Sequence, residues 1–169
     1  ELIGAFTRLE KLPEAEHHGQ QAVRLAELSG SHPNKVNAFT RVAELRPLQG
    51  RIDEAEQWVE RANASYDHVA VRDKTLVRIS RLRVLAARNN TAQALKEADV
   101  VLADVRDLGD RILERSLLDL LSELQLRAGD AASAFATRKA HQQLDKELAI
   151  DVAARRIALL ESSLERERT

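Results

Sequence analysis

The chain has 169 residues, enough for one domain with a sizeable core, and 26 Lys and Arg against 27 Asp and Glu leave a net charge of -1. That balance removes the usual electrostatic case for nucleic-acid binding, and the absence of cysteine excludes disulfides and thiolate metal sites. Aromatic residues make up only 3% of the chain, so small and aliphatic side chains must build the core, and six Gly and three Pro leave room for long helices with short turns.

In chain order, the sequence opens inside an apolar pattern (Leu2, Ile3, Phe6, Leu9) with no initiator Met, which reads as a fragment of a longer protein beginning in the tail of a helix that runs to about Lys11. Helices are predicted over about 13–29, 34–49, 53–67, 73–88, 91–107 and 111–128. Ser31-His32-Pro33 is a helix start with Pro33 in the first turn. Leu113, Leu117, Leu120, Leu121 and Leu124 share one stripe, and Val36, Phe39, Val42, Ala43 and Leu45 form another. From Asp130, a plausible N-cap, to about Glu167 there is no Gly or Pro. One continuous helix on the order of 55 Å is expected there at about 1.5 Å per residue.

The stretch Gly50-Arg51-Ile52-Asp53-Glu54-Ala55 reads as a tight joint between two helices, with Gly50 able to take the left-handed conformation that ends the first. Counterparts of Gly50 fall at Glu10, Asn89 and Gly129, at spacings of 40, 39 and 40, and an alanine follows each by five residues: Ala15, Ala55, Ala94 and Ala134. Asn89 suits a left-handed cap, whereas Glu10 does not, and Pro13 can start the helix there instead. Leu28 and Leu108, 80 residues apart, mark the same period. The expected architecture is all-α: an antiparallel helix-pair solenoid with repeats of about 40 residues and a long C-terminal helix.

Gly50, Ile52, Ala55, Val59 and Ala62, with Phe39, Val42 and Ala43, resemble the consensus of the tetratricopeptide repeat, and Gly129, Ala134, Leu121 and Ser122 repeat the likeness. The third copy departs from it at Arg78, Arg81 and Leu82. The resemblance covers residues 1–148 and implies helical repeats, the first incomplete, followed by a coiled-coil-like extension at 149–169. The repeat length resembles that of tetratricopeptide regions in bacterial signalling proteins. The run from Ala153 to Glu161 resembles the linker that leads there to a diguanylate cyclase (GGDEF) or histidine kinase domain. The resemblance implies a concave face lined by the first helix of each pair, with Asn37, Thr40, Arg41, Glu44, Ile79, Arg83, Asp119 and Glu123 as candidate ligand- or peptide-binding residues. An Asn beside an Arg can hold a peptide backbone or a terminal carboxylate.

Beyond the repeats, Ile150, Ala153, Ile157, Leu160 and Leu164 follow the 3-4 spacing of a coiled-coil seam flanked by charges. Two readings follow. In one, the chain is a non-catalytic sensory or interaction module whose last helix dimerises and transmits a signal to an output domain outside this sequence. In the other, it is a passive scaffold or adaptor whose last helix folds back, through a turn near residues 148–151, to cap the solenoid. No catalytic, phosphate-binding or metal-ligating motif appears: adjacent His17 and His18 point about 100° apart on a helix, His32 and His68 sit near helix ends, and the carboxylates interleave with Lys and Arg. The expectation is therefore no catalytic residue, metal or cofactor, a protein or peptide partner, a homodimer through the last helix, and no nucleic acid or membrane contact. The compartment stays open between bacterial cytoplasm and periplasm.

Overall fold

The computed structural model describes residues 11–168, and all its regular structure is helical: α1 (Leu12–Ser29), α2 (His32–Leu45), α3 (Ile52–Asn63), α4 (Val71–Ala87), α5 (Thr91–Leu108), α6 (Arg111–Arg127) and α7 (Ala131–Arg168), with single 3-10 turns at Pro47–Gln49 and Tyr66–His68. The expected first helix and the Glu10 joint lie outside the described residues. The helix expected over 34–49 stops at Leu45, because Pro47 has no N–H to continue the ladder and the chain tightens into a 3-10 turn.

Three of the expected joints share one geometry. Gly50, Asn89 and Gly129 have φ of 72°, 58° and 84°. The residue after each donates its N–H back five residues: Arg51 to Arg46 at 2.9 Å, Asn90 to Leu85 at 2.9 Å and Asp130 to Gln125 at 3.0 Å. This is the 6→1 bond that satisfies orphan carbonyls at a helix end. The alanines five residues on are buried in all three copies, with Ala55 and Ala94 fully inaccessible. A methyl group at these positions is what lets the second helix lie close against the first.

The chain divides between Leu108 and Gly109 into two compact units. In the first, α1 packs on α2, α2 on α3, α3 on α4 and α4 on α5, and α2 also packs directly on α4. Its core joins Ala26, Val36, Ala38, Phe39, Ala62 and Val77 in one cluster and Ala43, Ala55, Val59 and Val84 in another, with Trp58 packed against both. Trp58 meets Phe39 at a centroid distance of 5.5 Å, and the Arg61 guanidinium lies 4.2 Å from the Trp58 ring and 4.5 Å from that of Phe39. Gly19 is buried where α1 crosses α2, and a Cβ there would stand 3.2 Å from Val42 Cγ2. Beside that crossing the Arg46 guanidinium, 5% exposed, donates to both carboxylate oxygens of Glu16 in α1, and Gln49 donates to the same carboxylate at 3.2 Å. These bonds, Arg46 foremost, hold the Glu16 carboxyl down at about 2.

The second unit is the antiparallel hairpin α6–α7. Asp110 caps α6 by accepting from the Ile112 and Leu113 amides at 3.1 and 3.0 Å. The leucine stripe expected on α6 is buried throughout, from Leu113 to Leu124, and α7 contributes Ala134 and Leu144. Cross-helix ion pairs fix the register: Asp119 with Arg138 at 2.6 Å, Arg115 with Asp145 at 3.0 Å, and Arg111 with Glu147 at 2.6 Å and Asp151 at 2.8 Å. Arg111 is the first residue of α6, so α6 ends level with Asp151, while α7 continues to Arg168. The expected division at 148/149 falls within this unbroken helix.

Candidate functional site

Two features of the surface bear on function, one in each unit. In the first unit, Asn37 and Arg41 project from α2 into a cavity of about 540 Å³ whose wall also carries Leu25, Asn34 and Asp73. A neighbouring cavity of about 500 Å³ is lined by His18 and Gly19 of α1 with Arg41 and Glu44 of α2. Arg41 lines both. Glu44 faces Arg83 of α4 at 3.7 Å. Four of the candidate residues, Asn37, Arg41, Glu44 and Arg83, therefore fall on one side of this unit, where a guanidinium, an amide and carboxylates border apolar side chains. Such a set suits a peptide or a carboxylate-bearing ligand.

Two other candidates on these helices lie elsewhere. Thr40 is 3% exposed and its hydroxyl donates to the Val36 carbonyl at 2.8 Å. Ile79 is 2% exposed. The reason is the number of neighbours: α2 packs against α1, α3 and α4, and α4 packs against α2, α3 and α5. A helix with three partners keeps only a narrow exposed stripe, and these residues fall outside it. The same packing accounts for buried Thr75, Val77, Ser80, Leu82, Val84 and Ala86 on α4. Of the candidates in the second unit, Asp119 is held by Arg138, and Glu123 pairs with Arg127 one turn on.

A third cavity, of about 660 Å³, opens over α3, α4 and α5, lined among others by Glu60, Tyr66, Arg81, Lys96 and Val100. The family register directs attention to the first helix of each pair, and this cleft lies largely on the second helices. Its sequence signals are Arg78 and Arg81, which depart from the repeat consensus, and Tyr66, a polar aromatic in a short turn, which Lys74 approaches to 5.2 Å. His32 and His68, expected near helix ends, stack at 4.5 Å, and His32 Nδ1 lies 3.0 Å from Ser65 Oγ. His17 and His18 are exposed. Among the described residues no group of three or more His, Asp or Glu is placed to hold a metal ion, and no helix is long and apolar enough to cross a membrane.

The second feature is the free part of α7. Ile150, Ile157, Leu160 and Leu164 are 67%, 57%, 57% and 54% exposed, and Ala153 between them is exposed as well. At about 100° per residue their stripe points roughly 160° away from the face that carries Ala134, His141, Leu144 and Leu148 toward α6. Val152 and Leu159, also exposed, continue the α6-facing track past the end of α6. The backbone through residues 148–151, where a fold-back cap needs a turn, is helical.

No protein-family model matches the chain, and no curated protein matches it.

Proposed function

We propose that this chain is a non-catalytic interaction module of the tetratricopeptide kind, a helix-pair solenoid whose last helix brings two copies together. Three facts support the solenoid: the joints at Gly50, Asn89 and Gly129 recur at 39–40 residues with one hydrogen-bond geometry, the alanine five residues after each is buried, and within the first unit each helix packs on the next while α2 also packs on α4. The groove around Asn37, Arg41, Glu44 and Arg83 is where a peptide or small ligand binds. In this reading the module belongs to a larger bacterial signalling protein, and ligand occupancy reaches an output domain, of diguanylate cyclase or histidine kinase type, through α7.

The observation that carries self-association is the exposed stripe from Ile150 to Leu164. Four large aliphatic side chains stand more than half exposed on the part of α7 that runs past α6. Scattered exposed leucines need no explanation, but a heptad-spaced row of them marks an interaction surface. Static light scattering tests it. The intact chain should run at twice its chain mass and a chain ending at Leu148 at once its mass; equal association of the two would place the contact elsewhere.

A further inference from the structure

We propose that the stripe on α7 binds a second copy of this chain with the two α7 helices parallel and in register, and that Arg156 of each copy pairs with Glu161 of the other. The proposal rests on the self-association reading above and specifies its geometry.

The heptad positions follow from the side chains. Ile150, Ile157 and Leu164 occupy a positions, and Ala153 and Leu160 occupy d. In that frame Arg156 is a g residue and Glu161 the e residue of the next heptad. In a parallel pair, g of one helix faces the following e of its partner, so two symmetry-related Arg–Glu pairs flank the Ile157 and Leu160 layers. Ile150 and Ile157 at a, with Leu160 at d, are also residues of the kind that favour two parallel strands. Antiparallel alignments that keep the apolar layers together bring g against g and e against e. Arg156 then meets Ala149, Ser163 or another Arg156, and Glu161 meets Glu147, Ala154 or another Glu161. None of these is an ion pair.

Within the α6–α7 hairpin, α6 does not block the arrangement. The seam points away from α6, so a second α7 can lie along it while α6 stays on the far side. It also begins where the hairpin ends. One heptad earlier the a and d positions are Gln143 and Lys146, and Asp151 pairs with Arg111, the first residue of α6. Five apolar layers would be marginal in an isolated peptide, because starting a helix is costly. Here the helix is already nucleated by the packed half of α7, and only association remains unfavourable.

Because the chain has no cysteine, single substitutions report the geometry cleanly. Ala153→Cys and Leu160→Cys, prepared separately in the intact chain and oxidised with copper phenanthroline, should both give disulfide-linked dimers, since each d residue faces its own copy. Any antiparallel register can bring at most one of the two opposite itself, and a staggered parallel one brings neither. A dimer by light scattering in which only one variant, or neither, cross-links would overturn the parallel in-register geometry while leaving self-association standing. A monomeric intact chain would overturn both. Arg156→Glu should weaken dimerisation roughly tenfold, as repulsion replaces attraction at two symmetric flanks, and adding Glu161→Arg should restore it. Failure of the double variant to recover would overturn the Arg156–Glu161 pairing.

Discussion

The two halves of α7 belong to one unbroken helix and are opposite in circumstance. From Ala134 to Leu148 the helix turns alanine, histidine and leucine toward α6, and three clusters of charge (Asp119–Arg138, Arg115–Asp145 and Arg111 with Glu147 and Asp151) hold the two helices in register. From Ile150 to Leu164 the same helix carries more and larger aliphatic side chains, and none of those on the seam is covered. Periodicity alone does not separate the halves. What separates them is whether α6 lies alongside, and α6 begins at Arg111, level with Asp151. The apolar stripe that continues past α6 is the surface that the self-association proposal assigns to a second copy.

The sharpest way to break that comparison is to delete the same side chain on each side of it. Leu124→Ala, at a fully buried position of the hairpin, should lower stability by about 3 kcal/mol, the usual cost of a leucine-sized cavity, seen as a fall in the urea midpoint with little change in m. Leu160→Ala should cost less than about 0.5 kcal/mol in dilute protein, because it opens no cavity, yet it should raise the concentration needed for dimerisation. If Leu160→Ala destabilised dilute protein as much as Leu124→Ala, the outer half of α7 would be packed within its own chain.

A smaller effect is expected at the joint beside α1. Glu16 is charged and bonded by Arg46 in the folded chain, which depresses its carboxyl from an ordinary 4.5 to about 2. The unfolded chain therefore binds this proton first as pH falls. The stabilisation is complete above about pH 4.5 and is lost between there and about pH 2. Discounted for the part of Glu16 that still meets water, it is on the order of 1–2 kcal/mol. Glu16→Gln should remove it, flattening that stretch of the acid-denaturation curve relative to the parent chain. Identical acid midpoints and slopes in the two proteins would mean that Arg46 is satisfied without Glu16.

How much of this was legible in the sequence follows the range of the interaction. The joints were readable because a left-handed residue, its cap bonds and the alanine after it all lie within ten residues, which is why Asn89 could be recognised in place of glycine. The stop of α2 at Leu45 is equally local, and Pro47 signals it, but the apolar stripe around it runs on and masks the break. The burial of Thr40 and Ile79 was not legible. It depends on α2 and α4 each having three neighbours, a property of packing across two repeats that a consensus register does not encode. The His32–His68 stack and the role of Gly19 at the α1–α2 crossing are likewise contacts between residues more than twenty positions apart. The seam was legible for the opposite reason: within one helix, spacing alone decides which residues share a face.

The most direct test of self-association through α7 is the solution mass of the intact chain carrying Ile157→Glu and Leu160→Glu, measured by sedimentation equilibrium beside the parent. Both side chains are exposed in the single chain, so the variant should keep the parent's helical circular dichroism and its melting transition in dilute protein, while the mass falls from two chains to one. A variant that stays dimeric with its helices intact would contradict the seam as the contact between copies.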